Sequence, residues 1–129
     1  EVRYGANNRV DILLEDESRP PCYVCAEIKN VYLMRQAGLA EFPDSVAARG
    51  TQHLGALADI VTAGARAVMV YFVQRGDAKA LALAEDLDPT YAAAFRAATA
   101  AGVEALAIAT SASLEGLGGP RPIPLRTDV

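Results

Sequence analysis

The chain has 129 residues, a hydrophobic content of 52% and a net charge of −4. A chain of this length and composition forms one soluble globular domain with its own core, and its acidic charge argues against indiscriminate binding of nucleic acid. Its longest apolar run, residues 67–73, is too short to span a bilayer, and no basic n-region followed by an apolar h-region appears at the start, so we expect neither a membrane-spanning segment nor secretion.

The pattern of apolar residues predicts strands first, followed by alternating helices and strands. In chain order, we expect strands over 3–14, 21–28 and 30–35 (the last either separate or a continuation), a loop over 38–45, a helix over 46–62, a strand over 67–73, a helix over 90–101, a strand over 103–109, and a Gly- and Pro-rich tail or hairpin over 116–124. Asp44 or Ser45 is the expected N-cap of the first helix. The order β-β-β-α-β-α-β predicts an α/β fold with a mixed β-sheet flanked by helices.

A helix before the first strand would cover one face of such a sheet. The chain opens with Glu1 rather than Met. We therefore expect that the chain is a fragment and that this first covering helix is truncated.

Three charged residues lie in predicted strands or directly beside one: Asp11 in the first strand, Glu27 near the end of the second, and Lys29 directly after that end. A charge inside a buried sheet costs several kcal/mol unless it is paired or binds a metal ion. Because side chains alternate along a strand, Glu27 and Lys29 share one face, and a neighbouring strand can bring Asp11 to the same point. This is the layout of a Mg²⁺-dependent phosphodiesterase site, although a buried ion pair without catalysis explains the residues equally well.

In the metal-site interpretation, Asp11 and Glu27 are ligands of Mg²⁺ (or Mn²⁺), and the Ile28 carbonyl is a third ligand. Lys29 would then act as a fixed cation beside the attacking water or the scissile phosphate. The three catalytic candidates are therefore Asp11, Glu27 and Lys29.

Five further polar residues are candidates for the surroundings of this site. Arg49 and His53 lie four residues apart on the first helix, hence on one face, and could contact a phosphate. Gln74 ends a buried strand and Arg9 flanks the acidic strand position, so both could contact nucleic acid, although strand-end hydrogen bonding and charge balance explain them as well. Asp44 could be an accessory metal ligand, with the helix N-cap as its alternative role.

Cys22 and Cys25 have C-x-x-C spacing. One such pair lacks the second pair of ligands that a structural zinc site needs, and positions three apart on a strand point to opposite faces. We expect two ordinary reduced thiols rather than a redox pair, and therefore a cytoplasmic location.

Collinear segments along the chain point to a known family: Glu1–Gly5, Arg9–Asp11, Arg19–Val24, Glu27–Val31, Phe42–Asp44, Arg49–Gly50, His53–Leu54, and residues 67–68 and 73–75. They are similar to segments of the sugar fermentation stimulation protein A family. The resemblance extends over residues 1–125 and leaves 126–129 as a tail.

The resemblance implies a restriction-endonuclease-like nuclease domain of PD-(D/E)xK type, with Asp11, Glu27 and Lys29 in the active site. Members of the family also carry an upstream OB-like domain, which we expect to be absent from this fragment. They are described as DNA-binding proteins linked to the regulation of sugar-utilisation genes and as candidate nucleases. The family runs directly from Cys-Tyr-Val into Glu-Val-Lys, whereas Cys25 and Ala26 intervene here. Two extra residues preserve the strand alternation but could shift its register against the Asp11 strand.

The expected function is Mg²⁺-dependent hydrolysis of nucleic-acid phosphodiester bonds, with DNA as the expected partner and RNA left open. The alternative is a DNA-binding transcriptional regulator that retains the fold without catalysis. We expect no membrane partner and leave a homodimer open. Because the net charge is −4, we expect the fragment by itself to bind nucleic acid weakly.

Overall fold

The computed structural model describes the backbone of residues 2–4, 8–10, 12–15, 23–113, 116–117 and 120–126, and the side chains of residues 25–111 and 120–126. The elements in this part of the chain are the strands β1 (Val2–Tyr4), β2 (Asn8–Val10), β3 (Ile12–Glu15), β4 (Tyr23–Val31), β5 (Leu33–Gln36), β6 (Leu39–Phe42), β7 (Arg66–Val73), β8 (Ala80–Leu83), β9 (Glu104–Ala109), β10 (Ala112–Ser113), β11 (Gly116–Leu117), β12 (Arg121–Ile123) and β13 (Leu125–Arg126), and the helices α1 (Ala48–Thr62) and α2 (Pro89–Ala100).

A five-stranded sheet in the order β12-β9-β7-β4-β3 forms the main layer. Its three inner strands, β4, β7 and β9, run parallel, and the two edge strands run antiparallel to them. A second sheet has the order β13-β8-β6-β5 and also mixes parallel and antiparallel pairs. The expected class, an α/β fold with a mixed sheet and helices, is confirmed.

The second sheet is where the prediction from sequence was wrong. Residues 38–45 were expected to be a loop, but they contain β6, and β8 was not predicted. Gly38, with a φ of +80°, makes the tight turn at which Gln36 pairs with Leu39. Strands of four residues are too short to show a clear apolar alternation, which is why the pattern missed them.

The expected boundaries also shift elsewhere. The predicted strand over 3–14 corresponds to three short strands, β1, β2 and β3. The strand β4 extends to Val31, and β5, which follows it, belongs to the second sheet. The segment expected as a tail contributes β12, which pairs with β9 and so closes one edge of the main sheet.

Both helices pack on the same face of the main sheet. Tyr71 of β7 points to this face and contacts Tyr91 and Phe95 of α2, while α1 buries Leu54 and Leu57 completely. Burial of each large side chain of this kind contributes roughly 1.5–3 kcal/mol. Gly50 lets the two helices approach closely, because a Cβ atom there would lie 3.1 Å from Tyr91 Cε2.

The opposite face of the main sheet carries a row of apolar side chains. The strand register aligns Ile28, Val70 and Leu106 across β4, β7 and β9. Ile28 is 36% exposed and Leu106 is 52% exposed, and no helix of the described residues packs on this face. Neither α1 nor α2 is long and apolar enough to cross a bilayer.

The start of α1 differs from the prediction. Its N-cap is Ala47, without a side-chain capping bond, so the expectation that Asp44 or Ser45 caps this helix was wrong. The buried carboxylate of Asp88 serves both helices instead: Oδ1 accepts from Tyr91 N at 3.0 Å as the N-cap of α2, and Oδ2 accepts from Ala47 N at 2.7 Å. One carboxylate therefore ties the beginning of α1 to the beginning of α2.

We expect Asp88→Ala to lower the free energy of unfolding by about 2–3 kcal/mol, because a helix cap and a second charge-assisted hydrogen bond are lost together. Asp88→Asn should lose roughly half of that, since its single amide oxygen replaces only one of the two acceptors. Urea denaturation measures both. Asp59→Ala, at an exposed position of α1, is the control, and an Asp88→Ala variant as stable as this control would contradict the prediction.

Candidate functional site

The site is built on the helix-facing side of β4. Glu27 and Lys29 alternate with exposed Ile28, and they pair in the parallel ladder with Met69 and Tyr71 of β7. Both of these partners are completely buried. The expected common face of Glu27 and Lys29 therefore exists, and it is the face that the two helices cover.

Glu27 is the more deeply placed of the two charged residues. The residue is only 4% exposed, whereas the Lys29 side chain retains 17% of its exposure. The Lys29 ammonium lies 3.6 Å from Glu27 Oε1. A carboxylate at this depth is stable only with polar partners, and the ammonium beside it supplies one that also reaches solvent.

His53 of α1 completes the cluster from the helix layer. It is 6% exposed, and its Nδ1 lies 2.9 Å from Glu27 Oε1 and 2.9 Å from Lys29 Nζ. In one tautomer, a ring nitrogen either donates or accepts a hydrogen bond. Nδ1 therefore bonds either the carboxylate or the ammonium at a given moment and remains in close polar contact with the other.

Two of the three predicted metal ligands lie among the described residues, and the third does not. Glu27 lies at the centre of the cluster, and Ile28, whose carbonyl was the third expected ligand, follows it on β4. Asp11 lies outside the described residues, although its sequence neighbour Ile12 pairs with Ala26. Among the residues whose side chains are described, no group of three or more His, Cys, Asp and Glu side chains is placed to hold a metal ion.

The remaining predicted site residues are Arg49, Gln74, Asp44 and Arg9. Arg49 lies one helical turn before His53 and is exposed, with no hydrogen bond or ion pair to the rest of the described chain. Gln74 is exposed and follows β7, three residues beyond Tyr71, which corresponds to roughly 10 Å along a strand. Asp44 is exposed and accepts a bond of 3.5 Å from the Ser45 hydroxyl. For Arg9, only the backbone in β2 is described.

Two buried tyrosines beneath the cluster were not predicted from the sequence. Tyr71, the ladder partner of Lys29, places its hydroxyl 2.5 Å from the hydroxyl of Tyr91. Phe42 packs against both rings, with centroids 5.4 Å and 5.2 Å away, and joins the second sheet to this core. The only available signal was the position of Tyr71 inside a buried apolar run, because a tyrosine there must find a hydrogen-bond partner.

Burial raises the pKa of both tyrosine hydroxyls. For Tyr91, the negative charges of Asp88 and Glu27 also contribute to the raised pKa, whereas the hydrogen bond with Tyr71 opposes it. In the unfolded chain, both groups lose their protons near the ordinary pKa of about 10. Their contribution to stability is therefore complete below about pH 10 and is lost as the pH rises above that value toward the folded-state pKa values.

We expect the free energy of unfolding between about pH 9 and about pH 11 to fall by roughly 2–3 kcal/mol more in the natural protein than in the double variant Tyr71→Phe/Tyr91→Phe. The double variant keeps both rings but has no phenol to titrate. Urea denaturation at several pH values gives the two curves, and parallel curves would contradict the assigned cause.

Cys25 is a buried thiol in β4. The residue is 2% exposed, its thiol is free, and burial raises the pKa of that thiol. A raised pKa disfavours the thiolate, which is the reactive form. Cys22 lies outside the described residues.

Comparison with known proteins gives consistent results. A family model described as the sugar fermentation stimulation protein RE domain matches residues 1–116. A sugar fermentation stimulation protein homolog of Roseobacter denitrificans is 52% identical over 98% of this chain and 53% of its own length. A homolog of Ruegeria sp. is 58% identical over 91% of this chain and 50% of its own length, and one of Azorhizobium caulinodans is 53% identical over 97% and 52%.

The fold has a solved counterpart as well. A structure titled "The structure of Pyrococcus Furiosus SfsA in complex with Ca2+" superposes with a TM-score of 0.86 and 26% identity, covering 96% of this chain and 52% of that one. The chain thus spans about half the length of the relatives and of the solved structure that it matches.

Proposed function

The chain belongs to the sugar fermentation stimulation protein family, and on that premise we propose that it is a metal-dependent nuclease domain that hydrolyses phosphodiester bonds in DNA. The observation that carries the proposal is the buried Glu27 carboxylate with the Lys29 ammonium 3.6 Å away on the same face of one strand. In the proposed hydrolysis, the buried carboxylate binds the metal ion and the ammonium, which keeps contact with solvent, stabilises charge on the phosphate.

The donor set of this site fits a hard divalent cation. Glu27 offers a carboxylate, Ile28 offers a backbone carbonyl, and Asp11 is expected to provide the second carboxylate. Mg²⁺ typically binds through one or two carboxylates and keeps several waters, so this small set of oxygen ligands is sufficient. The related Pyrococcus protein was solved in complex with Ca²⁺, another cation that prefers oxygen ligands, and this supports the choice of Mg²⁺ or Mn²⁺ here. When bound, the ion would supply an activated water and polarise the phosphoryl oxygens.

The residues of the chain itself have distinct tasks in this proposal. Glu27 is held in place by the packing of β4 against β7 and α1, so it is positioned for an ion without a large rearrangement. Lys29 places its ammonium where negative charge develops on the phosphate, and its partial exposure lets that phosphate reach it. Lys29 lies beside the buried Tyr71 in the parallel ladder of β4 and β7.

Arg49 and Gln74 are proposed to contact the sugar-phosphate backbone. Both are exposed, and the Arg49 guanidinium is not engaged by any described carboxylate. Contacts of this kind position nucleic acid without reading its sequence. With a net charge of −4, we propose weak binding to DNA that falls steeply with added salt.

The direct test incubates the purified chain with single- and double-stranded DNA in Mg²⁺, in Mn²⁺ and in excess chelator. We expect cleavage in the presence of either metal ion and none with chelator, measured by gel electrophoresis of end-labelled substrates. The same protein prepared with Glu27→Gln controls for a contaminating nuclease. If no substrate is cut under any metal condition, the nuclease proposal is wrong.

The second candidate is a DNA-binding regulator without catalysis. It is favoured by the contacts that Glu27, Lys29 and His53 make with one another inside the fold, since a structural ion-pair cluster has the same contacts. DNA binding that is indifferent to metal ions and to Lys29→Met would support this candidate.

A further inference from the structure

His53, which was expected to contact nucleic acid, is buried and makes polar contacts with the strand β4. It is 6% exposed, while Arg49, one turn earlier on the same helix, is exposed. The ring of His53 points instead toward β4, where its Nδ1 is 2.9 Å from each of the two proposed active-site groups. A histidine in this position contacts both functional side chains and little of the solvent.

We infer that His53 is a positioning residue that holds Glu27 and Lys29 in their relative arrangement, and so sets the affinity of the site for a divalent cation. This inference rests on the proposed function. Glu27 and Lys29 are only two residues apart, but the distance of 3.6 Å between their charged groups is not fixed by the strand. The shared contact with one rigid ring from the helix layer fixes it, because the position of α1 is in turn set by Asp88 and by the close approach at Gly50.

The inference separates two roles that the sequence could not distinguish. A phosphate contact would make His53 important for affinity toward DNA and for the dependence of that affinity on salt. A positioning residue affects the cation and the side chains that meet it, and it affects DNA only through them.

The matched pair His53→Asn and His53→Leu tests the inference, because the two new side chains have the same branched shape and differ only in their polar atoms. The Asn amide lies where Nδ1 lies now and can donate to Glu27 or accept from Lys29. We expect Mn²⁺ binding, measured by isothermal titration calorimetry, to weaken by about 10–100-fold in His53→Leu and by no more than about 5-fold in His53→Asn. Affinity for DNA without metal should stay within about twofold of the natural protein in both variants.

The free energy of unfolding distinguishes a positioning role from a merely structural one, because a merely structural role predicts that the less stable variant also binds the cation more weakly. Leucine suits a buried position better than asparagine, so His53→Leu should be the more stable variant by urea denaturation although it binds the cation more weakly. A second measurement needs no metal: the rate at which an amine-reactive reagent labels Lys29, followed by mass spectrometry, should rise several-fold in His53→Leu and little in His53→Asn.

The outcomes separate the inference from the function on which it rests. If the natural protein binds no Mn²⁺, the proposed function fails, and the labelling rate of Lys29 still decides whether His53 positions that residue. If the natural protein and both variants bind Mn²⁺ equally and label equally, the positioning role is overturned while the nuclease proposal stands. A loss confined to DNA affinity would return His53 to the role of a nucleic-acid contact.

Discussion

Glu27→Gln is expected to lower metal-dependent cleavage of DNA by about 10³-fold in kcat/KM, equivalent to about 4 kcal/mol of transition-state stabilisation. Glutamine keeps the size of the side chain and one acceptor oxygen but removes the charge that attracts a cation. We therefore also expect Mn²⁺ binding to weaken by at least about tenfold, because affinity for a hard cation follows the number of charged ligands. Calorimetry and a cleavage assay measure the two effects independently.

The fold should survive this substitution. Removing the carboxylate leaves the Lys29 ammonium without its partner at 3.6 Å, but that ammonium keeps contact with water. We expect the free energy of unfolding to fall by about 1–2 kcal/mol, less than for a fully buried pair. Glu41→Gln is the matched control, because Glu41 is a partly buried carboxylate paired with Arg35 in the second sheet. Activity retained by Glu27→Gln at the level of this control would exclude Glu27 as a metal ligand.

The central part of the site could be predicted from the sequence because it depends on strand alternation alone. Charged residues two apart in an apolar run must share a face, and the structure places Glu27 and Lys29 on one. The strand β7 and both helices were predicted from equally local patterns of apolar residues. The interpretation of Gly38 to Ser45 as a loop failed because the strand β6 is stabilised by pairing with β8, about forty residues away in the chain.

The contacts that organise the site could not be predicted, because they join residues far apart in the chain. His53 meets Glu27 and Lys29 only because α1 returns over β4. Asp88 caps α2, and its second bond, to Ala47 N, depends on where α1 lies. The hydroxyl pair of Tyr71 and Tyr91 likewise requires α2 to pack on β7. Each of these contacts depends on how the helices pack on the sheet. The spacing of apolar residues in a single sequence predicts a helix but does not predict where that helix packs.

Lys29→Met is expected to separate turnover from metal binding. Methionine matches the aliphatic length of lysine and packs against the same neighbours, so the side chain stays in place while its charge is lost. Without a cation to stabilise the charge on the phosphate, kcat should fall by about 10²–10³-fold. Mn²⁺ affinity should rise rather than fall, because removal of a positive charge near Glu27 ends its repulsion of the incoming ion.

A lower kcat together with a higher Mn²⁺ affinity distinguishes Lys29 from the metal ligands, since Glu27→Gln is expected to lower both cleavage and Mn²⁺ affinity. Single-turnover cleavage at saturating Mn²⁺ isolates the chemical step, and calorimetry gives the affinity. Lys79→Met is the control, because Lys79 is exposed beside the turn at Gly38, in the second sheet. Were Lys29→Met to lose metal affinity and turnover together, the lysine would serve only to hold Glu27. The stabilisation of the phosphate would then have to come from another cation, for which the exposed Arg49, one turn before His53 on α1, is the candidate.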